Sequence, residues 1–401
     1  MENIILFDDD KRNNFLPLTF TRPIAELRIG ILTIREKWEK YLQGKASYIT
    51  QDYLSEKYPI KISEYNIIVN ACYLPTEALV ERINTLKSNE ALLNNGELVA
   101  AKITDSQLEL LQDIDDGSEL IGSDTSDIEI VRINNIWDIF QKNGNEIVKD
   151  FKLLTKDRYS LSLSHTNKLI GEHAVFIEQG SMVEGSILNT TAGPIYIGYG
   201  AEVMEGSMIR GPFSLGDHGV IKMGAKMYGD TSIGPGCKVG GEITNSVFLS
   251  NSNKAHDGFI GNSVIGEWCN IGADSNNSNL KNNYDEVKLW DYSSNRFKST
   301  GQQFLGLIMG DHSKCAINTM FNTGTVVGVS ANVFGAGFPR NFIPSFSWGG
   351  AAGFTTYKLE KALETMRRVF ARRNKELSDV DQKIMSHIFD FTHQYRTWEK
   401  D

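Results

Sequence analysis

From Ile197 onward an aliphatic residue returns at every sixth position: Ile197, Val203, Ile209, Leu215, Ile221, Met227, Ile233 and Val239. The same step recurs at Ile265 and Ile271, and again at Met309, Cys315, Phe321, Val327 and Val333. A period of six fits neither the 3.6 of a helix nor the 2 of a single strand. It suits short parallel strands wound around a triangular prism, three sixes to a coil, with the aliphatic residue of each six filling the interior. Several of these residues are followed by glycine, as in Ile197-Gly198, Leu215-Gly216 and Ile233-Gly234, where the chain must bend between strands. The pattern predicts a parallel β-helix over about residues 169–280 and 304–338. Two stretches rich in Asn, Ser, Lys and Asp, 251–258 and 276–303, break the period and are expected to leave the prism as loops.

The flanks have other periods. Residues 1–150 alternate strand-like runs (Ile4 to Phe7, Ile67 to Val69) with helix-like runs (Ile31 to Leu42, Thr76 to Leu86), the pattern of an α/β domain. After Gly353, Leu359, Leu363, Met366 and Phe370 stand three and four apart within Thr356 to Glu376, the mark of an amphipathic helix. The expected organisation is an α/β domain over 1–150, the β-helix domain over 151–355 and a helical tail over 356–401.

Composition narrows the function classes. At 401 residues with 41% hydrophobic and 23% charged residues, the chain has enough apolar material for more than one core. A net charge of -9 argues against a general nucleic-acid binder. Cys72, Cys237, Cys269 and Cys315 are far apart, without the paired spacing of a zinc site or a disulfide framework. The first residues lack the basic start and long apolar core of a signal peptide, and no apolar run is long enough to span a membrane. A cytoplasmic enzyme is the expectation.

The sharpest motif is Lys254-Ala255-His256-Asp257-Gly258-Phe259-Ile260-Gly261, followed by Ile265-Gly266 and Asn270-Ile271-Gly272-Ala273. It resembles the acetyltransferase domain of the bifunctional N-acetylglucosamine-1-phosphate uridylyltransferase and glucosamine-1-phosphate acetyltransferase family, including its fourteen-residue step from histidine to asparagine. The resemblance implies left-handed coils, an acetyl-coenzyme A co-substrate and a homotrimer with sites between neighbouring prisms. His256 would be the general base that takes a proton from the sugar amine, work suited to an imidazole because such rings titrate near neutral pH. Phe259, Asn270 and Lys254 would line the sugar site, with Gly272 and Ala273 beside the coenzyme. Glu242, in Val239-Gly240-Gly241-Glu242, would meet a sugar hydroxyl or amine. Taken alone, such a histidine also serves as a solvated side chain, and Glu242 as a solvated carboxylate.

The departures point to a different sugar phosphate. The family's phosphate-binding arginine falls on Tyr228, with Lys226 and Lys222 as the nearest replacements, and its Asn-Tyr-Asp falls on Asn279-Leu280-Lys281. At the other end, Leu6-Phe7-Asp8-Asp9-Asp10-Lys11-Arg12, Leu16-Pro17-Leu18-Thr19 and Arg22-Pro23 resemble the opening of sugar nucleotidyltransferases, but without the glycines that close around triphosphate. The aspartate that would hold magnesium in that family falls on Cys72. Asp8 and Asp9 remain as candidates for a Mg site, with an acidic turn facing water as the plainer alternative, and Arg12 and Arg22 remain as phosphate ligands. Arg367-Arg368 and Arg372-Arg373 offer charge to coenzyme phosphates or form a solvated helix face.

Three functions follow. The first is an acetyl-coenzyme A dependent N-acetyltransferase of an amino-sugar phosphate. The second is a sugar-1-phosphate nucleotidyltransferase making a nucleotide sugar. The third is a non-catalytic trimeric scaffold or regulatory subunit.

Overall fold

The computed structural model describes residues 3–111 and 120–399. The chain divides into two compact units, one of residues 1–15, 21–27 and 32–136, the other of 16–20, 28–31 and 137–401. The boundary expected at about residue 150 falls inside a helix, Asp138–Thr155, that groups with the second unit.

In the first unit the run Ile4, Ile5 and Leu6 is buried on both faces, so it forms an interior strand rather than an alternating one. This strand, Asn3–Phe7, pairs in parallel with Lys45–Ile49 on one side and Tyr65–Asn70 on the other. Glu97–Thr104 then joins antiparallel to Tyr65–Asn70, extending the sheet. The expected helices appear as Ile34–Tyr41 and Glu77–Thr85. The first starts where it does because Thr33 and Glu36 form a reciprocal capping box. This is the expected α/β domain.

The second unit is a parallel β-helix of three stacked faces. On the first face Ile197 pairs with Leu215, and Leu215 with Ile233, a step of 18 residues or three sixes. The second face stacks Val203, Ile221 and Val239, and the third stacks Leu188, Ile209, Met227, Ile243 and Ile260. Every residue of the six-step ladder is buried in one continuous core. Buried aliphatic area of this kind contributes roughly 25 cal/mol per Å², so each rung is held to its neighbours by packing as well as by the main-chain ladder.

The period breaks after Val239 for a different reason than expected. Ile233 pairs with Phe248 and Phe248 with Ile265, steps of 15 and 17 residues, so the coils shorten without leaving the prism. Residues 251–258 are therefore not a loop. Asn253–Lys254 is a rung, paired with Lys238–Val239, and Lys254 occupies the interior position that valine and isoleucine hold elsewhere. Its methylene stem fills the core while its ammonium reaches main-chain carbonyls at the corner, as long basic side chains can. Asn276–Asn277 is likewise a rung, paired with Met320–Phe321. Buried Asn277 satisfies its amide on both main-chain groups of Gly261.

The chain leaves the prism between that rung and Leu307–Met309, which resumes the first face opposite Val264–Ile265. This excursion carries an antiparallel hairpin, Lys288–Asp291 with Arg296–Ser299. The tail holds the expected amphipathic helix as Leu359–Ala371, burying Ala362, Met366 and Phe370, and a second helix, Asp379–Phe391, that periodicity did not single out. Phe370 stacks on Trp268, with ring centroids 4.2 Å apart, and Arg373 donates to the Gly236 carbonyl at 3.0 Å. No helix among the described residues is long and apolar enough to cross a membrane.

If the ladder carries the fold, Ile221→Ala should lower unfolding free energy by about 2–5 kcal/mol. Met208→Ala, on an outward position of the third face, should change it by less than about 0.5 kcal/mol. Urea denaturation of both variants checks this, and equal effects would count against an interior ladder.

Candidate functional site

Outward residues of the third face line up as firmly as the inward ones. Ile187, Met208, Lys226, Glu242 and Phe259 occupy successive rungs in register, each about 4.8 Å from the next. Lys226, Glu242 and Phe259, expected as substrate ligands from separate motifs, therefore form one row on the prism surface. Asn276 continues it, its side chain accepting from the Phe259 amide at 2.8 Å.

His256 stands at the corner where the second face turns into the third, between the rungs Asn253–Lys254 and Phe259–Gly261, with its side chain exposed. Gly272 and Ala273 occupy the same corner one coil on, where the Asp274 amide donates to the Asp257 carbonyl at 2.9 Å. The corner needs Gly258. Its φ is +116°, and a Cβ there would lie 2.2 Å from the Ser275 carbonyl oxygen.

Lys254 has a different role from the one its motif implied. It is fully buried, and its Nζ donates to the carbonyls of His256 and, at 2.8 Å, of Asp257. It holds the backbone that carries His256 and does not face the row. Burial lowers its pKa to about 8, with nearby Asp257 opposing the shift.

The other expected ligands are dispersed by the fold. Asn270 lies on the second face, in register between Asn253 and Lys314. Asn279 ties the neck of the excursion: its side chain donates to Asn262 at 2.8 Å and its carbonyl accepts from Leu305 at 2.9 Å. Lys281 lies beyond that neck, its ammonium on the Glu286 carbonyl at 2.6 Å. Against these, the fold brings in Arg210, which no motif had marked. Arg210, Lys226 and Tyr228 line one hollow of about 270 Å³ on the third face. Arg210 precedes Tyr228 by one coil of 18 residues, which sets the two on adjacent rungs. Only the coil length reveals that.

In the first unit the candidate phosphate and metal residues are turned inward. Residues Asp10–Phe15 form a tight helical turn with Arg12 buried. Asp8 accepts from the Ile24 amide at 2.8 Å and the Thr50 hydroxyl at 2.6 Å, and lies 3.3 Å from the Arg12 guanidinium. Asp9 accepts from Asn70 and Arg132, each at 2.9 Å, from the Lys11 amide, and from the Cys72 thiol. These carboxylates serve protein donors, and among the described residues no three His, Cys, Asp or Glu side chains are grouped to hold a metal ion. The residues present do not fit a magnesium ion at Asp8 and Asp9. Arg12 also donates to Tyr53 at 3.0 Å, and Arg22 is 4% exposed, too deep to meet a phosphate from solvent. A cavity of about 650 Å³ opens beside Asp8, lined by Phe7, Tyr48, Thr50 and Tyr58 among others, and among the described residues no lysine or arginine lines it.

The chain thus holds a unit of α/β type and a parallel β-helix that carries a polar row with an exposed histidine at its edge. A family model described as sugar nucleotidyl transferase matches residues 4–159. No curated protein matches the chain. Among solved structures, one described as the polysialic acid O-acetyltransferase OatWY is 14% identical, covers 48% of this chain and 89% of its own, and has a TM-score of 0.28. Another, an Arabidopsis UDP-N-acetylglucosamine acyltransferase, is 14% identical, with 54% of this chain and 72% of its own covered and a TM-score of 0.20.

Burial raises the Asp8 carboxyl from 3.8 to about 6, outweighing the lowering pull of Thr50 and Arg12. A carboxyl raised on folding favours the folded state while protonated. Its contribution is therefore full below the unfolded value and lost as pH rises through about 6. The stability of the native protein relative to Asp8→Asn should fall by up to about 3 kcal/mol between pH 4 and 7. Unfolding of both proteins across that range measures it, and a pH-independent difference would refute the assignment.

Proposed function

We propose that this protein is a transferase whose β-helix unit moves the acyl group of acetyl-coenzyme A to the amine of an amino-sugar phosphate. The observation that carries the reading is the junction of an exposed His256, held from behind by Lys254, with the outward row of Lys226, Glu242 and Phe259. Phe259 offers an aromatic face to a sugar ring and Glu242 an acceptor for its hydroxyl or amine. Lys226 and Arg210 bring positive charge for the phosphate. Gly272 and Ala273, one coil along the edge, leave a low wall for the pantetheine arm.

In the reaction the amine attacks the thioester carbonyl, a C–N bond forms and the C–S bond breaks. His256 takes the proton that the attacking nitrogen sheds, and the proton returns to the departing thiolate of coenzyme A. Lys254 acts as a positioning residue, because its two bonds to the His256 and Asp257 carbonyls fix where the imidazole stands. On this reading the protein works as a homotrimer in the cytoplasm, with a neighbouring prism closing the edge. Light scattering of the purified chain tests the trimer, and a monomer with full activity excludes it.

The family match over residues 4–159 favours a second reading, nucleotidyl transfer by the first unit. Its loop geometry opposes that reading, because carboxylates bound to their own backbone stand where backbone amides would cradle triphosphate. Pyrophosphate release from nucleoside triphosphates with magnesium and sugar phosphates would establish it.

Thiol release from acetyl-coenzyme A, screened over amino-sugar phosphates, tests the leading reading. His256→Ala should lower kcat by at least about 100-fold. Lys254→Met, which keeps the core filled, should lower kcat about 10- to 100-fold with KM for acetyl-coenzyme A unchanged. Turnover unaffected by His256→Ala would sink the proposal.

A further inference from the structure

Where the chain leaves the prism, the excursion and the strand segment near residue 340 enclose a second cleft, of about 600 Å³. This is within the size range of small-molecule sites. One wall is aromatic: Trp290 stacks on Phe342 with centroids 4.1 Å apart and planes 8° from parallel, and Phe297 meets Trp290 edge-on at 5.4 Å. Around that wall stand three cations, Lys281, Lys288 and Arg340. Thr323 and Asn341 complete the lining, tied to each other by a 2.8 Å bond from the Asn341 amide to the Thr323 carbonyl.

Lys288 and Arg340 are exposed, and neither has an ion-pair partner among the described residues. Of the carboxylates in the excursion, Asp291 pairs with Lys298 at 2.7 Å and Glu286 accepts from the Ser299 hydroxyl. Lys281 is directed by its bond to the Glu286 carbonyl rather than neutralised by it. Three cations beside a stacked indole match a ligand that joins a planar aromatic ring to phosphate. The negative charge of the rest of the chain selects against a long polyanion.

We propose that this cleft binds a nucleoside phosphate, the base stacking against the Trp290–Phe342 wall and the phosphate lying among Lys281, Lys288 and Arg340. The chemistry is shared by two sources, the 3′-phosphoadenosine diphosphate end of coenzyme A and a free or sugar-linked nucleoside diphosphate. The site involves neither His256 nor the third-face row; its coenzyme A source rests on the acyl-transfer reading, and its nucleoside diphosphate source does not.

Calorimetric titration of the full chain tests it, with adenosine 3′,5′-bisphosphate for the first source, uridine 5′-diphosphate for the second, and ribose 5-phosphate as the base-free control. One nucleotide should bind at least tenfold more tightly than ribose 5-phosphate, and the one preferred identifies the source. Lys288→Met with Arg340→Met, both at exposed positions, should weaken that binding about tenfold or more and flatten its salt dependence. Trp290→Leu should weaken it by a similar factor, as lost base stacking does. His256→Ala should bind as the native chain does, so failure of the acyl-transfer reading and failure of this one are distinguishable. Absence of binding by both nucleotides at millimolar concentration, or binding unchanged in the double variant, overturns the proposal.

Discussion

The second unit depends on one constraint: each coil must return in register beneath the last. Its rungs are only two or three residues long, so no single strand has enough hydrogen bonds to persist alone. Stability comes from stacking, where each rung gives main-chain bonds to two neighbours and one side chain to a shared interior. Any polar residue at an inward position must therefore bring its own partners. Lys254 and Asn277 do so with main-chain carbonyls and amides of adjacent corners.

The same register that aligns the core aligns the surface. Residues separated by 15 to 21 positions in the chain become neighbours within a few ångströms, and the row from Met208 through Lys226 and Glu242 to Phe259 arises this way. A row held in register on a rigid scaffold keeps its side chains at fixed spacing. His256 is exposed, yet its backbone is anchored by a buried ammonium, and Gly258 permits the sharp turn that follows. The corner is thus a product of core and surface together.

The first unit shows the opposite balance. It keeps an α/β sheet with a cavity at the carboxyl ends of Asn3–Phe7 and Lys45–Ile49, the usual place for a ligand in such sheets. But the loop after the first strand is closed by its own carboxylates. A loop of glycines would leave amides free to meet phosphate; one of aspartates bonds those amides internally. A matching family model and a missing phosphate cradle are compatible, because the frame of a fold is set by its core while chemistry is set by a few loop side chains.

By itself the sequence determined the architecture, because a buried aliphatic every six residues is a local pattern that no other fold repeats for so long. It also located the amphipathic helix at Leu359–Ala371, and it singled out Lys226, Glu242 and Phe259, which the fold sets in one outward row. It misjudged residues 251–258, because a lysine in the interior reads as polar until its ammonium is seen to reach carbonyls two and three residues away. It did not show that Asn270, Asn279 and Lys281 lie on different parts of the fold, since spacing along a chain does not say which face a residue occupies once coils shorten by one or three residues. Only the tertiary structure decided that Arg210 and Lys226 line one hollow, that Asp8 and Asp9 point inward, and that Trp290 and Arg340, fifty residues apart in the chain, line one cleft. Those are contacts between distant segments, fixed by coil register and burial, and no local period encodes them.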